Sequence, residues 1–315
     1  MTKKIAFLFP GQGSQIVGMG KDIYESYESA KEIYDIADKT LDKSISRLCF
    51  DGPEEDLKQT VNTQPCIVTT SIAIMKALRS ELNIVPDYTA GHSLGEYCAM
   101  YAAGVMNLET TLKLIQKRAE LMSMTKGGSM SAVLNASEDV LKAGLKEGQK
   151  VGYVDVANYN SPAQVVITGD EKAVETAGNY ILANGARRVV SLPVSGAFHS
   201  KFMQEAGNIF GEFIEDADLN DSTIPVITNV DAEPTTSAED FRAKMPKQIY
   251  SSVHWTQTIQ KMVENSVDTF IEIGPGKVLA GLNKKIAPEA SVYNVYDKAS
   301  LESTVAALKE QMAEV

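Results

Sequence analysis

The chain has 315 residues, 44% hydrophobic and 23% charged, with a formal net charge of −11. This is the size and balance of an ordinary globular protein of one large domain or two modest ones, and the acidic charge disfavours nucleic acid as a partner. Cys49, Cys66 and Cys98 form an odd set with no C-x-x-C spacing, which argues for a reducing compartment with neither a disulfide framework nor a metal site. Residues 5–9 are a short continuous apolar run ended by Pro10 and Gly11, the pattern of a buried parallel strand. That run is too short for a signal peptide, and no segment approaches the ~18 consecutive apolar residues of a membrane span. A soluble cytoplasmic protein with no membrane partner is expected. Helical patterns follow near 21–38, 54–59, 66–82, 94–104 and 108–125. Over 66–82, Val68, Ile72, Met75, Leu78 and Leu82 share one face. Strands alternating with helices predict an α/β fold with a parallel sheet.

Residues 128–194 read differently. Strands are predicted at 130–134, 151–157, 164–168 and 188–192, with helices at 138–146 and 171–183. Asn158-Tyr159-Asn160-Ser161-Pro162 is turn chemistry, and Asn184-Gly185 stops the second helix. The order βαββαβ fits a ferredoxin-like unit inserted into the larger body. Its bounds are Gly127-Gly128 and Pro193-Val194-Ser195-Gly196. This divides the chain into a discontinuous domain, 1–127 with 195–315, and a subdomain, 128–194. A helix over 201–216, strands at 225–229 and 269–273, helices near 239–250 and 255–265, and a terminal helix over 301–314 complete the main body.

Gly91-His92-Ser93-Leu94-Gly95 lies between the extended run at 86–90 and a helix-forming run. A serine on a strand-to-helix turn presents its hydroxyl outward, the flanking glycines let the backbone turn, and the helix aims free N–H groups at whatever the serine attacks. Ser93 is the candidate nucleophile; a purely structural turn is the alternative. The base comes from three histidines. His92 is expected to pack beneath the turn, and His254 to cap a helix or lie at the surface. His199 follows the inserted unit on the rim of a cleft and is the chosen base, against the alternative of a buried structural histidine. No acid is conspicuous as its orienting partner, a role a carbonyl can fill.

Gly11-Gln12-Gly13-Ser14-Gln15 lacks the third glycine of a dinucleotide motif, since Ile16 stands there. It reads as a tight loop at the sheet's carboxyl edge, where an N–H could complete an oxyanion hole with that of Leu94. Arg118 lies within or beside an apolar helix face with no acid at i±4. Its partner is either a substrate carboxylate or a distant structural acid.

Together these segments resemble the malonyl-CoA:acyl carrier protein transacylases of fatty-acid synthesis, over nearly the whole chain. The resemblance runs through Phe9-Pro10-Gly11-Gln12-Gly13-Ser14-Gln15, Gly18-Met19-Gly20, Thr63-Gln64-Pro65, Gly91-His92-Ser93-Leu94-Gly95-Glu96-Tyr97 and Lys117-Arg118-Ala119-Glu120-Leu121-Met122. It continues in Asn158-Tyr159-Asn160-Ser161-Pro162, Ala197-Phe198-His199-Ser200 and Glu272-Ile273-Gly274-Pro275-Gly276-Lys277. It implies an α/β-hydrolase-like core with the ferredoxin-like insert, a Ser93–His199 dyad, and an oxyanion hole from the N–H groups of Gln12 and Leu94. Arg118 would bind the malonyl carboxylate, the Gln248 carbonyl would orient the histidine, and Asn160 would lie nearby.

The implied reaction is ping-pong transfer of malonyl from malonyl-CoA to the phosphopantetheine thiol of acyl carrier protein, with no cofactor, by a monomer. Phe198 and the Leu94 side chain are expected to crowd an α-methyl and so favour malonyl over methylmalonyl. An acidic carrier needs a local basic patch on this acidic chain. Lys277, Lys284 and Lys285, with Arg187 and Arg188, are candidates; a solvated charged surface is the alternative. A serine hydrolase or thioesterase on the same scaffold, an acyltransferase serving a polyketide synthase, and a non-catalytic scaffold are the competing readings.

Overall fold

The first strand sits in the middle of the main sheet because nearly every side chain it carries is apolar on both faces. The computed structural model describes residues 3–194 and 196–313; Ser195, at the expected exit from the insert, and Glu314, at the expected end of the terminal helix, lie outside the described residues. The strands are β1 (Lys4–Phe9), β2 (Tyr88–Gly91), β3 (Ser129–Leu134), β4 (Val154–Ser161), β5 (Gln164–Gly169), β6 (Arg188–Ser191), β7 (Val226–Ile227), β8 (Pro234–Thr235), β9 (Val267–Ile273) and β10 (Ser291–Val295). The first seven helices are α1 (Lys21–Ser26), α2 (Glu28–Leu41), α3 (Ile45–Asp51), α4 (Glu54–Leu57), α5 (Thr60–Glu81), α6 (Gly95–Ala102) and α7 (Leu108–Met124). The rest are α8 (Glu138–Gln149), α9 (Glu171–Ala183), α10 (Gln204–Phe213), α11 (Ala238–Tyr250), α12 (Trp255–Glu264), α13 (Val278–Ile286) and α14 (Lys298–Ala313).

The main sheet has the order β10-β9-β1-β2-β7-β8, parallel except for the β7–β8 pair. Along β1, Phe7 and Phe9 enter the core shared with α5 and α7, while Ala6 and Leu8 enter a second core with Trp255 and Ile259 of α12. Two-residue periodicity therefore fills a core on each side of the sheet. Residues 128–194 form a second, antiparallel sheet, β4-β5-β3-β6, with α8 and α9 packed on a core of their own. Gly127 and Gly196 bridge each other, so the chain enters and leaves this sheet at one place. The fold is mixed α/β, with a largely parallel main sheet.

Several elements differ from the sequence reading. The helix expected over 21–38 is two helices, broken where Tyr27 adopts an extended backbone. α5 begins at Thr60 rather than near 66, because the helix runs through Pro65, a residue that ordinarily marks a boundary. Asn158-Tyr159-Asn160-Ser161 is strand, not turn. Two register shifts absorb these polar residues, and the far edge of β4 finds partners in Val253. The helix expected over 201–216 opens with a 3-10 turn, Lys201–Met203, and its α-helical part ends at Phe213. α3, α13 and β10 had no counterpart in the sequence reading. Among the described residues no helix is long and apolar enough to cross a membrane.

Candidate active site

β1 and β2 run in register, with Phe9 beside Gly91, and both end where the sharp turn into α6 begins. Within the turn the left-handed residue is Ser93 itself, at φ 52°. Gly91 and Gly95 do not adopt positive φ; they are needed for proximity. A Cβ on Gly91 would collide with the Gly95 backbone, and one on Gly95 with the carbonyl of Phe9. The glycines thus let α6 lie directly on the strand ends, and the strain falls on the serine. Ser93 N–H donates to Asn229 Oδ1 and Gly95 N–H to the His92 carbonyl. Among the described residues the Leu94 N–H between them has no acceptor, and neither has the Gln12 N–H.

His199 also stands in the left-handed region, at φ 53°. Its Nε2 lies 2.8 Å from Ser93 Oγ. Its Nδ1 lies 3.0 Å from the Gln248 carbonyl and 3.1 Å from that of Ser251. Both partners accept only, so Nδ1 carries the proton and Nε2 is the free base. Those carbonyls belong to the C-terminal end of α11, where carbonyls lack intrahelical donors and the helix dipole is negative. Burial, then the Arg118 charge, then His92, push the His199 pKa down to about 3, so the imidazole is neutral at physiological pH.

Arg118 of α7 is fully buried. Nη1 donates to Gln64 Oε1 at 2.7 Å; Nη2 donates to Gln248 Oε1 at 2.9 Å and to Ser93 Oγ at 3.0 Å. The guanidinium lies 5.7 Å from the Tyr97 ring centre, and its Nε has no acceptor among the described residues. Burial depresses its pKa, with only partial opposition from Tyr97 and Glu96. Its hydrogen-bond partners are amides and a hydroxyl, none an acid, so a buried cation reaches the serine without a bonded counter-ion.

Ser93 and His199 line a cavity of about 340 Å³ with Gln12, Gln64, Met122 and Phe198. A second cavity of about 290 Å³ adjoins it through shared residues including Gln12 and His92, and is walled by Asn160 and Leu279. Asn160 Oδ1 is 2.8 Å from His92 Nε2, and the His92 ring packs 5.6 Å from that of Trp255; His92 was expected beneath the turn, and it also lines both cavities. His254 stands at the N-cap of α12, but its side chain caps nothing; its ring stacks on Tyr159. Leu94 departs from expectation: its side chain is buried in the main core and is not part of the cavity wall. The direction of a turn residue's side chain depends on which residue takes the left-handed conformation, which the sequence does not display. Lys277 precedes α13, and Lys284 and Lys285 occupy its last turn, all exposed. Arg187 and Arg188 are exposed at the start of β6.

Sequence reasoning missed Gln64, Asn229 and the side chain of Gln248, which hold Arg118 and Ser93. Gln64 and Gln248 are buried amides within helices, and Asn229 follows a two-residue strand. A polar residue inside an otherwise apolar stretch was the available sign.

The acyl transferase domain family matches residues 6–304. A malonyl CoA-acyl carrier protein transacylase of Bacillus subtilis is 43% identical over 312 residues, covering 98% of each chain. The crystal structure of a malonyl CoA-acyl carrier protein transacylase from Clostridium perfringens superposes with a TM-score of 0.94 at 38% identity, over 99% of this chain and 100% of that one. A malonyl-transacylase in complex with a type II polyketide synthase acyl-carrier protein superposes at 0.93 with 35% identity, over 96% and 99%. The chain is an acyltransferase and belongs to the malonyl CoA-acyl carrier protein transacylase family.

Proposed function

We propose that the chain moves a malonyl group from malonyl-CoA to the phosphopantetheine thiol of an acyl carrier protein, through a malonyl ester on Ser93. The observation that carries this reading is the convergence on Ser93 Oγ of a neutral imidazole at 2.8 Å and a buried guanidinium at 3.0 Å. His199 Nε2 takes the Ser93 proton as Oγ attacks the thioester carbonyl. The Gln12 and Leu94 N–H groups hold the oxyanion, and the carbonyls of Gln248 and Ser251 orient the ring and steady the imidazolium. Collapse breaks the C–S bond, and the imidazolium returns its proton to the departing CoA thiolate. The carrier thiol then gives its proton to Nε2, attacks the ester, and Ser93 Oγ leaves with that proton.

Arg118 pairs bidentately with the malonyl carboxylate, and Phe198 walls the acyl site. Asn160 lines the adjoining cavity and steadies His92. No cofactor enters these steps. The strand order β4-β5-β3-β6 with two helices supports a ferredoxin-like subdomain over 128–194, set into an α/β-hydrolase-like core of 1–127 and 195–315. Lys277 precedes α13 and Lys284 and Lys285 lie in its last turn; α13 walls the second cavity, and this supports them as docking residues for an acidic carrier.

Intact-mass measurement after adding malonyl-CoA, and then carrier protein, tests the reading. The expected result is a malonyl adduct that is absent in Ser93→Ala and moves to the carrier. An adduct that persists in Ser93→Ala overturns it.

A further inference from the structure

Asn229 is nearly fully buried two residues past the last pair of β7 with β2, and it is bonded through both main chain and side chain. Its Oδ1 accepts the Ser93 N–H at 2.7 Å, and its Nδ2 donates to the Gly91 carbonyl at 2.7 Å. Its own N–H donates to Glu96 Oε2 at 2.6 Å, and its carbonyl accepts the His254 N–H at 3.1 Å. One side chain therefore staples the residue before the turn to the serine within it, while its main chain is anchored to the first turn of α6 and to the start of α12.

We infer that Asn229 is a positioning residue that holds Ser93 in its left-handed conformation and so sets where Oγ stands relative to His199 and Arg118. An L-residue at φ 52° is strained and persists only where its surroundings over-determine it. Two groups grip the Ser93 main chain from outside the turn. Asn229 Oδ1 takes its N–H, and Gln248 Nε2 donates to its carbonyl at 2.7 Å. Of the two, Asn229 alone also holds Gly91, so it fixes the angle between strand and turn. It has a second effect: Oδ1 occupies the Ser93 N–H, so the Leu94 N–H remains the donor open to a ligand on that turn. Asn229 does not touch the reacting atoms as drawn above, and its effect reaches chemistry only through Ser93. This inference rests on the proposed nucleophilic role of Ser93.

The test compares wild type with Asn229→Leu, which keeps volume and removes both side-chain bonds, and Asn229→Asp, which keeps the acceptor and loses the donor to Gly91. Rapid-quench mass measurement gives the rate of the malonyl-serine burst on folded protein. Malonyl-CoA affinity is measured separately in a Ser93→Ala background, with and without Asn229→Leu. The expected result is a burst slowed about tenfold or more in Asn229→Leu, an intermediate rate in Asn229→Asp, and affinity changed less than about twofold. A wild-type burst rate in folded Asn229→Leu overturns the inference, as does a loss of affinity equal to the loss of rate. Where Asn229→Leu does not fold, Asn229→Asp carries the test, and a wild-type rate there overturns it. Absence of any adduct in wild type instead sinks the nucleophile reading, so the two failures are distinguishable.

Discussion

Arg118 Nη2 donates to Ser93 Oγ at 3.0 Å and thereby fixes which way the hydroxyl proton points. A guanidinium only donates, so the serine proton is directed to His199 Nε2 rather than shared with Arg118. In the proposed reaction the same group prepares the nucleophile and receives the acyl carboxylate, which would couple substrate choice to serine activation.

Removal of that coupling gives a selective loss. Arg118→Ala is expected to lower kcat/KM for malonyl-CoA by about a hundredfold or more, the scale of a lost buried charge-assisted pair, and to lower acetyl-CoA turnover much less. Arg118→Lys recovers little, because an ammonium cannot reproduce the fork held between Gln64 and Gln248. Steady-state rates with both thioesters check this; equal losses for the two would contradict it.

The pH dependence of acylation follows from His199. Its pKa of about 3 places the acid limb of kcat/KM far below that of an ordinary histidine near 6.5. Arg118→Gln removes a positive neighbour while burial, the larger cause, remains; the limb should shift upward without reaching 6.5. The sign for stability is the usual one for a depressed histidine. Between 6.5 and about 3 the unfolded chain binds the extra proton, so the contribution of this group falls as pH drops through that window. A pH–rate profile of the burst decides whether the limb moves up or stays.

Two buried carboxyls act in the opposite direction. Burial raises Glu96 from 4.5 to about 8 and Glu272 to about 7. Above 4.5 the unfolded chain releases protons that the folded chain keeps, so their contribution to stability is present in acid and is lost as pH rises through 7 to 8. Glu96→Gln keeps an acceptor for the Asn229 N–H and removes one of the two ionisations. Its melting temperature relative to wild type should therefore rise between pH 6 and pH 9, about the range bracketing these ionisations. A mutant-minus-wild-type difference that stays flat or falls as pH rises refutes this assignment.

The first strand, the strand-to-helix turn at Ser93 and the alternation of strands and helices over residues 128–194 were legible in sequence because each is a local pattern. Residues 5–9 are apolar without interruption, and Gly91 and Gly95 mark a close approach whatever the rest of the chain does. What was not legible depends on distant partners. Asn158-Tyr159-Asn160-Ser161 has turn composition, yet it is strand because Val253 supplies its second edge. Leu94 was expected in the pocket, and it lies in the core because the left-handed twist of Ser93 points it there. Gln248 was chosen by resemblance alone, since nothing in Lys247-Gln248-Ile249 marks a carbonyl and an amide that serve His199, Arg118 and Ser93 together.

Recognition of the carrier should separate from recognition of the acyl group. Reversal of charge at Lys284 and Lys285 is expected to weaken transfer to carrier protein several-fold at low ionic strength, with the difference fading at high salt. The malonyl-serine burst should keep its wild-type rate, since both lysines are exposed and neither lines the cavity at Ser93 or the one adjoining it. Equal transfer rates at low salt would remove these lysines from the docking surface.

The hydrogen bonds that arm Ser93 span long stretches of chain: 106 residues to His199 and 155 to Gln248. A nascent chain that has emerged through α7 carries Ser93, Arg118 and the imidazole of His92, but neither His199 nor the Asn229 and Gln248 amides that grip the Ser93 main chain. Emergence of the base alone leaves its Nδ1 without the α11 carbonyls, and the serine carbonyl without its amide. Reactivity therefore arrives late in synthesis and all together, when α11 docks. Until then the proposed nucleophile lacks its base, and no acyl ester is expected to form on Ser93.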